Sequence, residues 1–202
     1  MTDNSDTWLC APKIFDGHTI LADHAVHLVD GVVKAIKPQS TLSSKENAQQ
    51  FDGILSPGFF DIQVNGGGGE LVNANPTAQG LEAIFTAHRA AGTTHWLPTV
   101  ITDSPEVMTK ASNAIIENIG KFGIAGIHIE GPHIAIERKG THKSHWIRPF
   151  DAHTMAEVTK LRSHDIPVLL TVAPETMQQG EVAKLTAMGV VVSIGHSNAN
   201  AK

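Results

Sequence analysis

The chain has 202 residues, with 15 Lys+Arg against 20 Asp+Glu, a formal charge of −5, 41% hydrophobic and 17% charged residues. That composition can bury a core, which excludes an intrinsically disordered chain. The mild acidity gives no electrostatic basis for binding nucleic acid or an anionic membrane.

The N-terminal Met1-Thr2-Asp3-Asn4-Ser5-Asp6 lacks the basic and apolar regions of a signal peptide, and no apolar run approaches a membrane span. Cys10 is the single cysteine, so no internal disulfide or cysteine-rich zinc knuckle is possible, in keeping with a cytoplasmic protein. Residues 8–36 read as short strands, with Asp-Gly turn signals at Asp16-Gly17 and Asp30-Gly31. The second lies between two apolar runs and predicts a hairpin. Residues 38–52 are polar and read as a connector. The expectation is a small β domain over 1–56.

From residue 57 onward, short apolar runs alternate with amphipathic helical patterns. The runs are 59–64, 95–100, 126–129, 168–173 and 190–194. Helical spacing is found over 76–91, from Ser104-Pro105 to Ile119, over 151–163 behind Asp151 as a cap, and over 176–188. Near-continuous apolar strands separated by helices predict a parallel α/β sheet. The run Asn65-Gly66-Gly67-Gly68-Gly69-Glu70 fits neither a dinucleotide fingerprint nor a P-loop, and reads as a flexible turn or a ligand contact. Polar residues close the strands: Gln63 and Asn65, Thr99 and Thr102, Glu130 and His133, Glu175, and His196. Chemistry gathered at successive C-terminal strand ends is the signature of a (β/α)8 TIM-like barrel. Five strands are counted, so the expectation for 57–202 is the first part of such a barrel, truncated after about five strands and incomplete.

Twelve histidines are present, four of them within the 18 residues His128–His145. Imidazole is the commonest protein metal ligand and a general acid or base near neutral pH. In Gly126-Ile127-His128-Ile129-Glu130-Gly131-Pro132-His133, Glu130 ends a short strand as a metal ligand, a base or a solvated loop residue. His128, alternating with Ile127 and Ile129, reads as a packed histidine, and His133 as either kind. Lys139-Gly140-Thr141-His142-Lys143-Ser144-His145 reads as a solvated basic turn or a holder of an anionic, hydroxyl-rich ligand. His196 follows the β-branched run 190–194 directly, where a barrel places a metal ligand, and Gly195 beside it implies a close approach. A two-metal barrel would carry His-x-His on its first strand. Gln63-Val64-Asn65 stands there instead, and amides bind transition metals poorly, so a single-metal site is expected. No G-x-S-x-G nucleophile motif is present.

Taken in order, residues 55–66 (LSPGFFDIQVNG), Gly92-Thr93-Thr94 with Leu97-Pro98-Thr99, Gly126–Pro132, Lys139–His142, Thr171-Val172-Ala173-Pro174-Glu175 and Val191–Asn198 resemble the N-acetylglucosamine-6-phosphate deacetylases of the amidohydrolase superfamily. The resemblance implies metal-dependent hydrolysis of an amino-sugar phosphate's acetamide. It implies one divalent ion, by default Zn2+ with Fe2+ or Co2+ as alternatives, held by Glu130 and His196. Thr141 and His142 would contact the sugar phosphate, with His142 helping to polarise the amide carbonyl, while Gln63 and Asn65 would fill the place of missing second-metal ligands. The family's catalytic Asp and a third ligand, a His on the sixth strand, would lie beyond residue 202, so the chain alone is expected to be inactive. The full-length family implies a homo-oligomer. Two other readings stay open: another single-metal amidohydrolase acting on a sugar or cyclic amide, and a non-catalytic sugar-phosphate-binding protein.

Overall fold

The structure, a computed structural model, describes residues 6–44 and 46–200 and divides into two compact units at Gly58. The first unit is built from strands β1 (Thr7–Phe15), β2 (Ile20–Val29), β3 (Val32–Pro38), β4 (Ala48–Gln50) and β5 (Ile54–Leu55). They form a mixed sheet in the order β3-β2-β1-β4, with β5 also on β1. The predicted hairpin joins β2 to β3. Asp30 and Gly31 take φ of 52° and 74°, the two left-handed residues that a tight hairpin needs to match the strand twist. The Asp16 carboxylate caps the β1–β2 turn by accepting from the His18 and Thr19 amides. The expected connector 38–52 is partly a strand: Ala48–Gln50 pairs in parallel with Trp8, Leu9 and Cys10. Small clusters, Trp8 with Cys10 and Ala25, and Ala11 with Ile14 and Val26, make up its buried core.

The second unit opens with β6 (Phe59–Val64) and a two-residue-strand hairpin, β7 (Gly66–Gly67) and β8 (Glu70–Leu71). Then come α1 (Ala78–Arg89), β9 (Thr93–Ile101), α2 (Pro105–Asn118), β10 (Ile127–Glu130), α3 (Ala152–Ser163), β11 (Val168–Val172), α4 (Glu181–Ala187) and β12 (Val191–Ile194). Strands β6, β9, β10, β11 and β12 form one parallel sheet in sequential order. Sequential order without a reversal distinguishes the path of a barrel from a doubly wound sheet, whose order turns back at a switch point. The result is a five-stranded half-barrel whose outer strands are β6 and β12.

The helices begin where local chemistry dictates. Ser104 accepts from the Val107 amide ahead of Pro105 at the first helical position, and Asp151 accepts from the Thr154 amide. Helix α2 stops at Asn118, so Ile119 lies outside it and is exposed. Helix α4 is shorter than its sequence pattern, because Pro174–Thr176 forms a separate 3-10 turn. Leu81, Ile84, Ile115, Leu161 and Leu185 from the helices pack with Trp96, Ile127, Ile129 and Leu170 from the strands in one buried core. Because side chains alternate along a strand, burying Ile127 and Ile129 against the helices turns His128 and Glu130 to the other face. The glycine run is no loose turn. Gly66 and Gly67 pair with Leu71 and Glu70, and His88 Nε2 donates to the Gly66 carbonyl at 3.0 Å.

Candidate metal centre

Glu130 is the last residue of β10 and is buried. Its Oε2 accepts from Gln63 Nε2 at 3.0 Å, across from the end of β6. Its Oε1 lies 3.0 Å from His196 Nε2 and 3.9 Å from His142 Nε2. The candidate ligand atoms of Glu130, His142 and His196 all fall within 4.8 Å of one another.

His196 reaches this point because the chain after β12 bends sharply. A Cβ on Gly195 would sit 2.5 Å from Thr171 Cγ2, which is the close approach expected from the sequence. His196 itself takes the left-handed φ of 50°, which histidine tolerates better than most residues. Its Nδ1 is 2.8 Å from the Arg138 carbonyl oxygen, which only accepts, so Nδ1 carries a proton and Nε2 is the nitrogen left to act as a ligand when it is unprotonated. Two further bonds join the same segments: the Ala135 amide donates to the His196 carbonyl at 2.9 Å, and Arg138 Nε donates to Asn198 Oδ1 at 3.1 Å. A Glu175 oxygen accepts from Ser197 Oγ at 2.8 Å and the other from the Asn198 amide at 2.6 Å. Glu175 therefore anchors the loop that carries His196.

This arrangement suits a cation. His196 Nε2 and Glu130 Oε1 lie 3.0 Å apart, a hydrogen bond when Nε2 carries a proton and a pair of donor atoms that a bound cation would share when it does not. Ligands about 2.0–2.2 Å from a tetrahedral zinc ion lie roughly 3.4 Å apart, so the 3.0 Å between Glu130 Oε1 and His196 Nε2 would have to open by a few tenths of an ångström to admit one. Nitrogen and carboxylate donors suit Zn2+, and would also accept Fe2+ or Co2+.

His142 is buried in the turn that follows Lys139, with its Nδ1 2.7 Å from Thr102 Oγ1 and its ring 4.6 Å from that of His196. Burial holds its pKa below the ordinary histidine value; the Glu130 charge works against that, and His196 adds to it. Thr141 precedes it on the turn and is exposed. The structure thus brings Glu130, His142 and His196 together and leaves Thr141 at the solvent side. The basic turn is tied down in part. Lys143 Nζ donates to Asp103 Oδ2 at 2.9 Å, and the Asp103 carboxylate also accepts from the Ser104 amide and Asn73. Burial raises the Asp103 pKa, but these bonds outweigh it and hold the carboxyl below its usual range.

The remaining buried histidines are structural. His128 Nε2 is 2.8 Å from Thr171 Oγ1 beneath Glu130. His133, fully buried, donates from Nδ1 to the Arg148 carbonyl at 3.1 Å and accepts at Nε2 from the Thr154 hydroxyl at 2.8 Å. One member of the site has no signal in the sequence. Arg138 acts through a main-chain carbonyl, which no residue code reveals. Gln63, expected in the place of a second-metal ligand, donates its amide N–H to Glu130.

No family profile matches the chain. It is 38% identical over 210 residues to an N-acetylgalactosamine-6-phosphate deacetylase of Shewanella sp. (strain ANA-3), covering 99% of this chain and 52% of the relative. It superposes on the crystal structure of N-acetylglucosamine-6-phosphate deacetylase from Pasteurella multocida with a TM-score of 0.84 at 28% identity, over 95% of this chain and 52% of that one. A mutant of the Mycobacterium smegmatis N-acetyl-D-glucosamine-6-phosphate deacetylase, solved in complex with N-acetyl-D-glucosamine-6-phosphate, matches with a TM-score of 0.78 at 26% identity, over 96% and 50% of the two chains. The chain spans about half the length of the relatives it matches. Among the described residues, no helix is long and apolar enough to cross a membrane.

Proposed function

From the chain's partial homology to the N-acetylglucosamine-6-phosphate and N-acetylgalactosamine-6-phosphate deacetylases of the amidohydrolase superfamily, over about half of their length, we propose that it carries the cation-binding part of an amide hydrolase. The substrate is N-acetylglucosamine 6-phosphate, and the products are glucosamine 6-phosphate and acetate. The observation that carries this reading is the convergence of Glu130, His142 and His196 at the C-terminal edge of the half-barrel, with His196 Nδ1 engaged by the Arg138 carbonyl and Nε2 turned to Glu130.

Glu130 Oε1 and His196 Nε2 would hold the divalent ion. When bound, such an ion supplies Lewis acidity, which acidifies water and polarises a carbonyl. Gln63 engages Glu130 Oε2 and thereby leaves Oε1 as the ligating oxygen. The Arg138 carbonyl orients His196, in the way that partners behind metal ligands fix tautomer and ring direction. His142 lies beside the pair, where it can orient the acyl group, and Thr141 would face the sugar phosphate from the exposed side of the turn. Glu175 is committed to Ser197 and Asn198, which leaves the proton transfers of amide hydrolysis to a group outside these residues. The isolated chain should therefore bind metal without turning over. The activity would belong to a protein that also contains the rest of the barrel, and by family likeness such a protein would assemble as a homo-oligomer in the cytoplasm.

A second reading is favoured by one observation. The 38%-identical Shewanella relative is an N-acetylgalactosamine-6-phosphate deacetylase, and the two sugars differ at C4 alone. The test is a hybrid in which residues 1–202 replace the matching part of the Pasteurella multocida enzyme. Acetate release is measured with each sugar phosphate, with the unphosphorylated sugars and after chelation. The expected result is metal-dependent release from the phosphorylated sugars, lost in Glu130→Gln. A folded, zinc-loaded hybrid that releases no acetate from either would overturn the reading.

A further inference from the structure

We propose that Thr102 is a positioning residue that sets the tautomer of His142, so that His142 presents an Nε2 N–H to the cation site while His196 presents an Nε2 lone pair. The three-residue cluster then divides into two ligands, Glu130 and His196, and one hydrogen-bond donor, His142. The reading of the site as a metal centre is needed only for what that N–H would meet. The tautomer is a property of the chain itself.

The argument rests on one buried hydrogen bond. Thr102 follows β9 and is almost wholly inaccessible, with its Oγ1 2.7 Å from His142 Nδ1. Among the described residues this is the hydroxyl's one hydrogen bond. A hydroxyl and a neutral imidazole nitrogen can each be donor or acceptor, so two arrangements are possible. If Nδ1–H donated to the threonine oxygen, the hydroxyl proton would be left without an acceptor in a buried place, a defect that native structures avoid. If the hydroxyl donates to Nδ1, its proton is satisfied and the ring's single proton sits on Nε2. Gly131 keeps this contact closed: with φ of 76°, a Cβ there would lie 2.2 Å from Thr102 Oγ1 and 3.6 Å from His142 Nδ1. The contrast with His196 is chemical. Its Nδ1 faces a carbonyl, which can only accept, whereas the Nδ1 of His142 faces a hydroxyl whose proton needs a partner.

The consequence follows from distance. His142 Nε2 is 3.9 Å from Glu130 Oε1, beyond hydrogen-bond length, so its proton is not consumed by the carboxylate. It is available to an oxygen placed between the two histidines, where developing negative charge on an acyl oxygen would be stabilised.

The test needs neither substrate nor turnover, so it can fail independently of the deacetylase reading. The full chain, chelator-treated and 15N-labelled at histidine, is studied by two-bond 1H–15N correlation NMR at a pH where the imidazoles are neutral. His142→Gln assigns the signals. The expected spectrum shows His142 protonated at Nε2 and His196 at Nδ1. Thr102→Val should move His142 toward the Nδ1–H form, and Thr102→Ser should keep the wild-type pattern. In a zinc competition titration, His142→Gln should change affinity less than tenfold and His196→Gln more than a hundredfold. An Nδ1–H tautomer of His142 in the wild-type chain overturns the proposal, as does an unchanged tautomer in a folded Thr102→Val. If that variant does not fold, the wild-type and Thr102→Ser spectra decide.

Discussion

His196 Nδ1 lies 2.8 Å from the carbonyl oxygen of Arg138, a contact that spans 58 positions of sequence. It fixes the direction of the His196 ring, because the carbonyl can only accept and so holds a proton on Nδ1. The neighbouring bonds from Ala135 to His196 and from Arg138 to Asn198 tie the same two segments together.

Gln63 should matter through Glu130. Its amide occupies Oε2, and removing it frees the carboxylate to rotate. Losing a partner behind a metal ligand typically costs about 10–100-fold in affinity. Gln63→Leu is therefore expected to weaken zinc binding by that order in a chelator competition, while the circular dichroism spectrum stays that of the wild type. Unchanged affinity would remove Gln63 from the site.

Gly195 should not tolerate a side chain. A methyl group there would meet Thr171 Cγ2 at 2.5 Å, on a β-branched residue fixed within a central strand. Overpacking of this kind costs about 1–3 kcal/mol. Urea denaturation of Gly195→Ala should show a loss in that range, together with weaker zinc binding because His196 is next in the chain.

Much of this was legible in the sequence, for physical reasons. The inner strands β9, β10 and β11, largely buried, announce themselves as apolar runs, and caps such as Ser104 and Asp151 sit beside the helices they start. Glu130 and His196 stood out because a polar residue closing an apolar strand must face somewhere other than the core. What was hidden depends on partners distant in sequence. Strand β4 reads as a polar connector, since Ala48-Gln49-Gln50 has no apolar alternation and forms a strand only by pairing with β1. His133 reads either way in sequence because the partners of its two nitrogens, the Arg148 carbonyl and the Thr154 hydroxyl, are brought to it only by the fold.

Asp151 offers a check on the scaffold around the site. It caps α3 by accepting from the Thr154 amide and also takes Arg148 Nε at 2.6 Å. Asp151→Ala should cost about 1 kcal/mol from the lost cap, read from the shift of the urea midpoint. A variant as stable as wild type would show that the cap contributes nothing here.

The buried histidines predict how stability responds to acid. Burial lowers the pKa of His133 and of His128 from the ordinary value of 6.5, so the folded chain resists a proton that the unfolded chain accepts. Between the lowered folded value and the unfolded one, the unfolded state binds more protons, so stability rises with pH in that window. Above about 6.5 this contribution is fully present, and it is lost as pH falls through the folded value. Denaturation midpoints measured from pH 8 downward should stay level and then fall below about pH 6.5. His133→Asn should flatten that slope. The same slope in wild type and variant would mean that His133 is not one of the groups responsible.

The most direct measurement is a calorimetric titration of the chelator-stripped chain with Zn2+, alongside Glu130→Gln and His196→Gln. One ion per chain in the wild type, with the affinity lost in both variants, is the expected result. No specific binding by the wild type, or binding undiminished in both variants, would contradict a metal centre at Glu130 and His196.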